Sequence, residues 1–241
     1  MAEDTALADD IQNLFDLPEE DLPEPEYPIL EWSGIKIRLL NVHHSLWGDK
    51  LWEAGKIMGN IILEKKFGVD VEGKSVVEFG AGSGIGTLSC AKMNAKIVVS
   101  TDYPDDNLIE NLRFNCQQFP NIVVVGHQWG KDVTPVLEAN NGQKFDYAIL
   151  SDLVFNHVCH DQLLTSLSSV LAPNGTAMVT YTSHRPHLRD KDLHFFELAE
   201  EKYGFQVEEV GTQRHPPMFE NDFGPLEVRT LAHICRLKFK N

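Results

Sequence analysis

The sequence is poor in cysteine and has no C-x-x-C pair. Its four cysteines, Cys90, Cys116, Cys159 and Cys235, are scattered through 241 residues. That spacing argues against a disulfide framework or a cysteine zinc site and fits free thiols in a reducing compartment. No apolar run approaches the ~18 residues that a membrane helix needs. The basic start and apolar stretch of a secretory signal are also missing, since the first residues carry Glu3 and Asp4. Cytoplasmic residence without a membrane partner is the expectation. Positive charge is scarce too: residues 1–35 hold eleven acids and no lysine or arginine. With a net charge of −15 overall, the remaining residues carry only −4. A bare nucleic-acid groove normally shows a basic patch, and none is visible, so nucleic acid is not an expected partner. The acidic stretch reads either as a solubilising, unstructured leader or as a segment that attracts a basic partner.

What is present fits one core with a short accessory segment, and 42% hydrophobic content is ordinary for a globular domain. Residues 1–26 read as an acidic tail with at most a short helix over 9–15, because Pro18, Pro23, Pro25 and Pro28 break anything longer. Residues 27–241 then form the domain, expected as a monomer. Two apolar runs flank Ser33-Gly34 and predict a β-hairpin, with Ile35, Ile37 and Leu39 on one face. Ile57, Met58, Ile61 and Ile62 recur at helical spacing within 53–66.

A regular alternation follows. Strands are predicted over 75–79, 97–101, 122–125, 145–150 and 176–182, and helices over 85–94, 105–119, 161–171 and 191–203. Two closing strands, 206–211 and 228–238, have no helix between them. The pattern implies an α/β fold: a doubly wound, seven-stranded, mostly parallel sheet with one antiparallel strand, preceded by the hairpin. Ligands in such sheets sit at the carboxyl ends of the strands. That rim collects Gly80–Gly84, Asp102, Trp129 and Ser151–Asn156.

The first strand runs into Glu78-Phe79-Gly80-Ala81-Gly82-Ser83-Gly84. Glycines at such a turn let the backbone approach a ligand and open a helix. The dinucleotide fingerprint G-x-G-x-x-G fails in both frames, because its last glycine would fall on Ile85 or Thr87. What remains, acid-x-G-x-G-x-G after a strand, resembles the first motif of S-adenosylmethionine-dependent methyltransferases. Glu78 would then hold the ligand's ammonium, directly or through water. Asp102, at the next strand end, stands where a carboxylate grips ribose hydroxyls.

Leu51-Trp52-Glu53-Ala54-Gly55, Trp129-Gly130 and Ser151-Asp152-Leu153-Val154-Phe155-Asn156-His157 join the glycine loop in a closer likeness. Together they resemble methyltransferase family 16, over about residues 28–240. Members often carry Asp-x-x-Tyr where this chain has Asp152-Leu153-Val154-Phe155. The Asp-Leu-Val-Phe-Asn-His form is similar to one branch, the fungal methyltransferases of translation elongation factor 1-alpha, also described as nicotinamide N-methyltransferase-like. The resemblance implies S-adenosylmethionine as cofactor, held by Trp52, Gly80, Ala81, Gly82, Asp102, Trp129 and Ser151. It implies the factor's N-terminal glycine and adjacent lysine as acceptors. An indole at Trp129 suits a flat base such as adenine, although rim packing explains it too, as core filling would explain Trp52.

Methyl transfer to nitrogen needs a neutral, aimed amine. Asp152 and Asn156 are expected to accept hydrogen bonds from it, and Phe155 to form a wall that favours the cationic product. His157-Val158-Cys159-His160 lacks a convincing third ligand and is not taken as a metal site. Ser183-His184-Arg185 lines the acceptor pocket, caps, or faces solvent. Residues 215–225 face substrate or merely connect. Two other readings stay open: a small-molecule methyltransferase of a nicotinamide-like base, with a closed pocket, and a silent binding module. The intact Gly80, Gly82, Asp102 and Asp152 count against the second.

Overall fold

The computed structural model describes residues 26–41, 43–45, 47–218 and 224–240. The short helix expected over 9–15 and nearly all of the acidic tail lie outside them. The hairpin forms as expected: β1 (Ile29–Trp32) pairs antiparallel with β2 (Ile35–Arg38) across Ser33-Gly34. Ile35 and Ile37 are buried against Ile85 and Leu88, with Leu39 partly buried beside them. The alternation therefore gives the hairpin one face to lay on the domain.

Seven strands form the main sheet in the order β5-β4-β3-β6-β7-β9-β8. They are β3 (Ser75–Phe79), β4 (Ile97–Asp102), β5 (Ile122–Gly126), β6 (Phe145–Ser151), β7 (Leu171–Thr182), β8 (Phe205–Arg214) and β9 (Leu231–Phe239). β3 to β7 pair in parallel; β9 inserts between β7 and β8 and runs antiparallel to both. All five residues of β3 are buried, as expected of a central strand covered on both faces. Side chains alternate between the faces. Val77, Phe79, Ala148 and Leu150 meet one apolar core, and Val76 and Ile149 meet the other.

Helices α1 (Glu53–Leu63) and α2 (Ile85–Lys92) cover the second face through Ile57, Met58, Ile61, Ile62 and Cys90. On the first face, α5 (His160–Val170) supplies Leu163, Leu164 and Leu167, and α6 (Arg189–Glu201) supplies Phe195 and Phe196. α3 (Asp106–Cys116) begins where Asp105 caps the amides of Asn107 and Leu108. The chain steps outward from β3 to β5, then returns to β6 beside β3. The switch point, and with it the ligand crevice, lies at the β3 and β6 ends.

The differences from expectation are local. α2 stops at Lys92 because Asn94 turns left-handed, with φ +58°. The helix expected over 161–171 ends at Val170, and Leu171 already pairs with Phe145, so β7 begins before the expected 176. The last strand starts at Leu231 rather than 228, because Pro225 opens a single helical turn, α7 (Leu226–Arg229). One turn, α4 (Thr134–Glu138), was not expected; five residues are too few to show a helical period.

Candidate functional site

β3 ends in a turn whose Gly80, Gly82 and Gly84 have φ of +58°, +55° and +86°, a region that glycine adopts at the least cost. A Cβ at Gly80 would lie 2.6 Å from Leu153 Cδ2 and 3.4 Å from Trp129 Cζ2. The glycine loop, the strand-β6 exit and Trp129 therefore converge on one place. At the end of β4, Asp102 braces that loop. Its Oδ2 accepts from the Gly82 amide at 2.6 Å, and its Oδ1 from the Tyr103 amide at 2.7 Å. Burial raises the Asp102 pKa, and these two amides act in the opposite direction.

Glu78 lies deeper. One oxygen accepts from the Thr87 amide at 2.6 Å and from Thr87 Oγ1 at 2.5 Å. The other comes up against Gly86, where any Cβ would collide with it. Burial pushes its pKa up to about 7, with Thr87 opposing. Glu78 thus holds its proton in the folded chain at pH values where an unfolded glutamate, near ~4.3, has lost it. Folding then takes up a proton, and stability falls as pH rises from about 4.3 to 7, by ~3 kcal/mol in all. Glu78→Gln should remove this part of the slope; urea midpoints of both proteins at pH 5 and pH 7.5 test it, and parallel slopes would refute it.

The second half of the site follows β6. Asp152 is buried and takes φ +57°, left-handed for a residue that is not glycine. Its amide donates to Thr180 O at 2.7 Å, its Oδ1 accepts from the Thr182 amide at 3.2 Å, and its Oδ2 meets His184 Nε2 at 2.9 Å. Trp52, next to the start of α1, stacks on Phe155 with ring centres 5.6 Å apart. It also lies 5.2 Å from the His184 ring, and Trp47 packs edge-on against it at 6.4 Å.

These parts enclose a cavity of about 470 Å³. Every site residue expected from sequence lines it: Trp52, Glu78, Gly80, Ala81, Gly82, Asp102, Trp129, Ser151, Asp152, Phe155 and Asn156. Trp47, Tyr103, His127 and Gln162 line it as well and were not anticipated. Neither was Thr182, which holds Asp152. Ser151 Oγ is buried with no hydrogen-bond partner among the described residues. A buried hydroxyl so placed fits a polar ligand, and the glycine cradle fits a close backbone approach.

The discounted histidines are engaged elsewhere. His157 Nε2 meets Asp192 Oδ1 at 2.7 Å, and His160 Nε2 donates to Val154 O at 2.6 Å. Among the described residues no group of three His, Cys, Asp or Glu is placed to hold a metal. None of their helices is long and apolar enough to cross a membrane. Of the connector at 215–225, residues 219–223 lie outside the description.

Comparison with known proteins decides the family. A model described as lysine methyltransferase, methyltransferase family 16, matches residues 33–202. The chain belongs to that family. The protein N-terminal and lysine N-methyltransferase of Schizosaccharomyces pombe is 42% identical over 209 residues, spanning 83% of this chain and 80% of its own. The protein of the same name from Candida glabrata is 36% identical over 251 residues, spanning 95% and 96%. Among solved structures, M. jannaschii TYW2 in complex with AdoMet superposes with a TM-score of 0.54 at 15% identity, covering 90% of this chain and 86% of its own. P. horikoshii TYW2 in complex with MeSAdo gives 0.58 at 15% identity, covering 89% and 72%. At that identity the structures show a shared fold alone. As a family-16 methyltransferase, the chain takes S-adenosylmethionine as its cofactor.

Proposed function

We propose that this methyltransferase modifies polypeptide amines, namely the N-terminal glycine and the adjacent lysine of translation elongation factor 1-alpha. The observation that carries the reading is the buried Asp152 carboxylate, held on both oxygens, on the same cavity as the stacked Trp52 and Phe155 rings and the glycine loop. The relatives' names, protein N-terminal and lysine N-methyltransferase, support it. The resemblance of the Asp152–His157 segment to the elongation-factor branch of the family supports this substrate, and a cytoplasmic site of action goes with it.

Gly80, Ala81 and Gly82 would cradle the cofactor's amino-acid end, with Glu78 beneath them. Asp102 would take the ribose, Trp129 the adenine, and Ser151 Oγ and Trp52 the remaining flank. When bound, the cofactor supplies an electrophilic methyl group. The protein's task is to bring a neutral amine in line with it. An α-amino group, near ~7.7–8.0, is easily delivered neutral; a lysine, near ~10.4, is not. Asp152 would accept a hydrogen bond from the amine, and Asn156 Oδ1 a second, turning the lone pair toward the methyl group. The Trp52–Phe155 wall excludes water and favours the cationic product.

The test is label transfer from S-adenosylmethionine with the factor and nicotinamide offered together. Label on the factor alone supports the reading. Label on nicotinamide alone replaces it with small-molecule methylation while leaving fold and cofactor in place.

A further inference from the structure

Asp152 leaves β6 through a left-handed turn, so its backbone alone does not fix where its carboxylate points. Two groups from the end of β7 do. The parallel register sets Ser151 opposite Thr180, which carries Asp152 alongside Thr182 and His184. The Thr182 amide takes Oδ1. His184 Nε2 meets Oδ2 at 2.9 Å, with the two side chains 10% and 2% exposed. A carboxylate only accepts, so Nε2 carries the hydrogen and donates it, and the bond is charge-assisted.

Thr182 is itself fixed from behind. His215 Nδ1 donates to Pro216 O at 2.7 Å, which leaves Nε2 to accept from Thr182 Oγ1 at 2.9 Å. The His184 ring also packs at 5.2 Å against Trp52, which stacks on Phe155. Asp152, Trp52 and Phe155 line the cavity, whereas His184 touches two of them from outside its wall.

We propose that His184 is a positioning residue for methyl transfer: it fixes the Asp152 carboxylate and the Trp52 ring in one arrangement, leaving Asp152 lone pairs free for the acceptor amine. This rests on the reading that the amine is received at Asp152. The bond to His184 uses one of two lone pairs on Oδ2, and the Thr182 amide one of two on Oδ1, so acceptor capacity remains.

The experiment compares His184→Phe, His184→Gln and His184→Asn with the native enzyme, on whichever acceptor the native enzyme methylates. Phe keeps a ring against Trp52 and removes the donor. Gln places an N–H near the Nε2 position, and Asn places one too short to reach. The expected result is a kcat lowered ~30-fold for Phe and Asn, with KM within about threefold, and recovery to within about fivefold for Gln. In an Asp152→Asn background, His184→Phe should cost less than about twofold more. Melting temperature and calorimetric affinity for S-adenosylmethionine should stay near native values throughout. Native turnover in His184→Phe, equal losses in Gln and Asn, or the full His184→Phe loss repeated in the Asp152→Asn background would each overturn the proposal. Should the Phe variant not fold, the Gln-to-Asn comparison alone decides it. A failed substrate reading shows up separately, as a native enzyme inactive on the factor. A failed Asp152 reading shows up as undiminished turnover in Asp152→Asn.

Discussion

Asp152→Asn is expected to lower kcat for methyl transfer by ~100-fold, with affinity for S-adenosylmethionine within about threefold of native. Asparagine is the informative substitution because residue 152 sits at φ +57°. Asn visits that region readily, whereas a Cβ-only residue is strained there. The amide still accepts from the Thr182 amide but turns its NH2 toward His184, donor against donor, or else flips and loses the first bond. Either way the negative charge that would draw the acceptor amine is gone, and the glycine loop is untouched. Steady-state kinetics with calorimetry separate the two effects. Turnover unchanged in Asp152→Asn would remove Asp152 from the reaction.

Asp102→Ala should do the reverse: cofactor affinity about 100-fold weaker, ~2.7 kcal/mol, with the fold intact. The substitution releases the Gly82 amide at 2.6 Å and the Tyr103 amide at 2.7 Å, so the glycine loop loses its brace along with the carboxylate proposed to meet the ribose. Yet Asp102 is a poor stabiliser of the free protein, because burial raises its pKa and penalises its charged form. The melting temperature should therefore hold or rise while binding fails, as at other sites where function costs stability. A native dissociation constant in Asp102→Ala would refute the assignment. A collapsed melting temperature would mean that Asp102 serves the fold first.

Much of the architecture was legible because the buried strands are short apolar runs that end at chemistry. Ser75–Phe79 stops at glycines, Ile97–Asp102 at an acid, and Phe145–Ser151 at Asp152. Those ends fall on one rim because parallel strands all point the same way. The eleven expected site residues consequently share a cavity. What escaped depends on neighbours distant in sequence. Ser183-His184-Arg185 was a candidate for the acceptor pocket, but the bond from His184 to Asp152 arises only through the β6–β7 register, and no local spacing encodes it. The left-handed turn at Asp152 is invisible too, since aspartate fits either hand. Glu78 was expected to serve the ligand's ammonium; the sequence gives no sign that one of its oxygens is committed to Thr87, nine residues on. Trp47 sits in an irregular loop without periodicity, so nothing marked it as a wall of the site.

The most direct test of the central claim is to locate the methyl group. Elongation factor 1-alpha with a free N-terminus is incubated with the native enzyme and S-adenosylmethionine, then digested and sequenced by tandem mass spectrometry. Added methyl mass is expected on the N-terminal glycine amine and the adjacent lysine, and about 100-fold less of it at matched early times with Asp152→Asn. Methyl groups confined to other lysines of the factor, or an unmodified factor beside an enzyme that binds the cofactor, would contradict it.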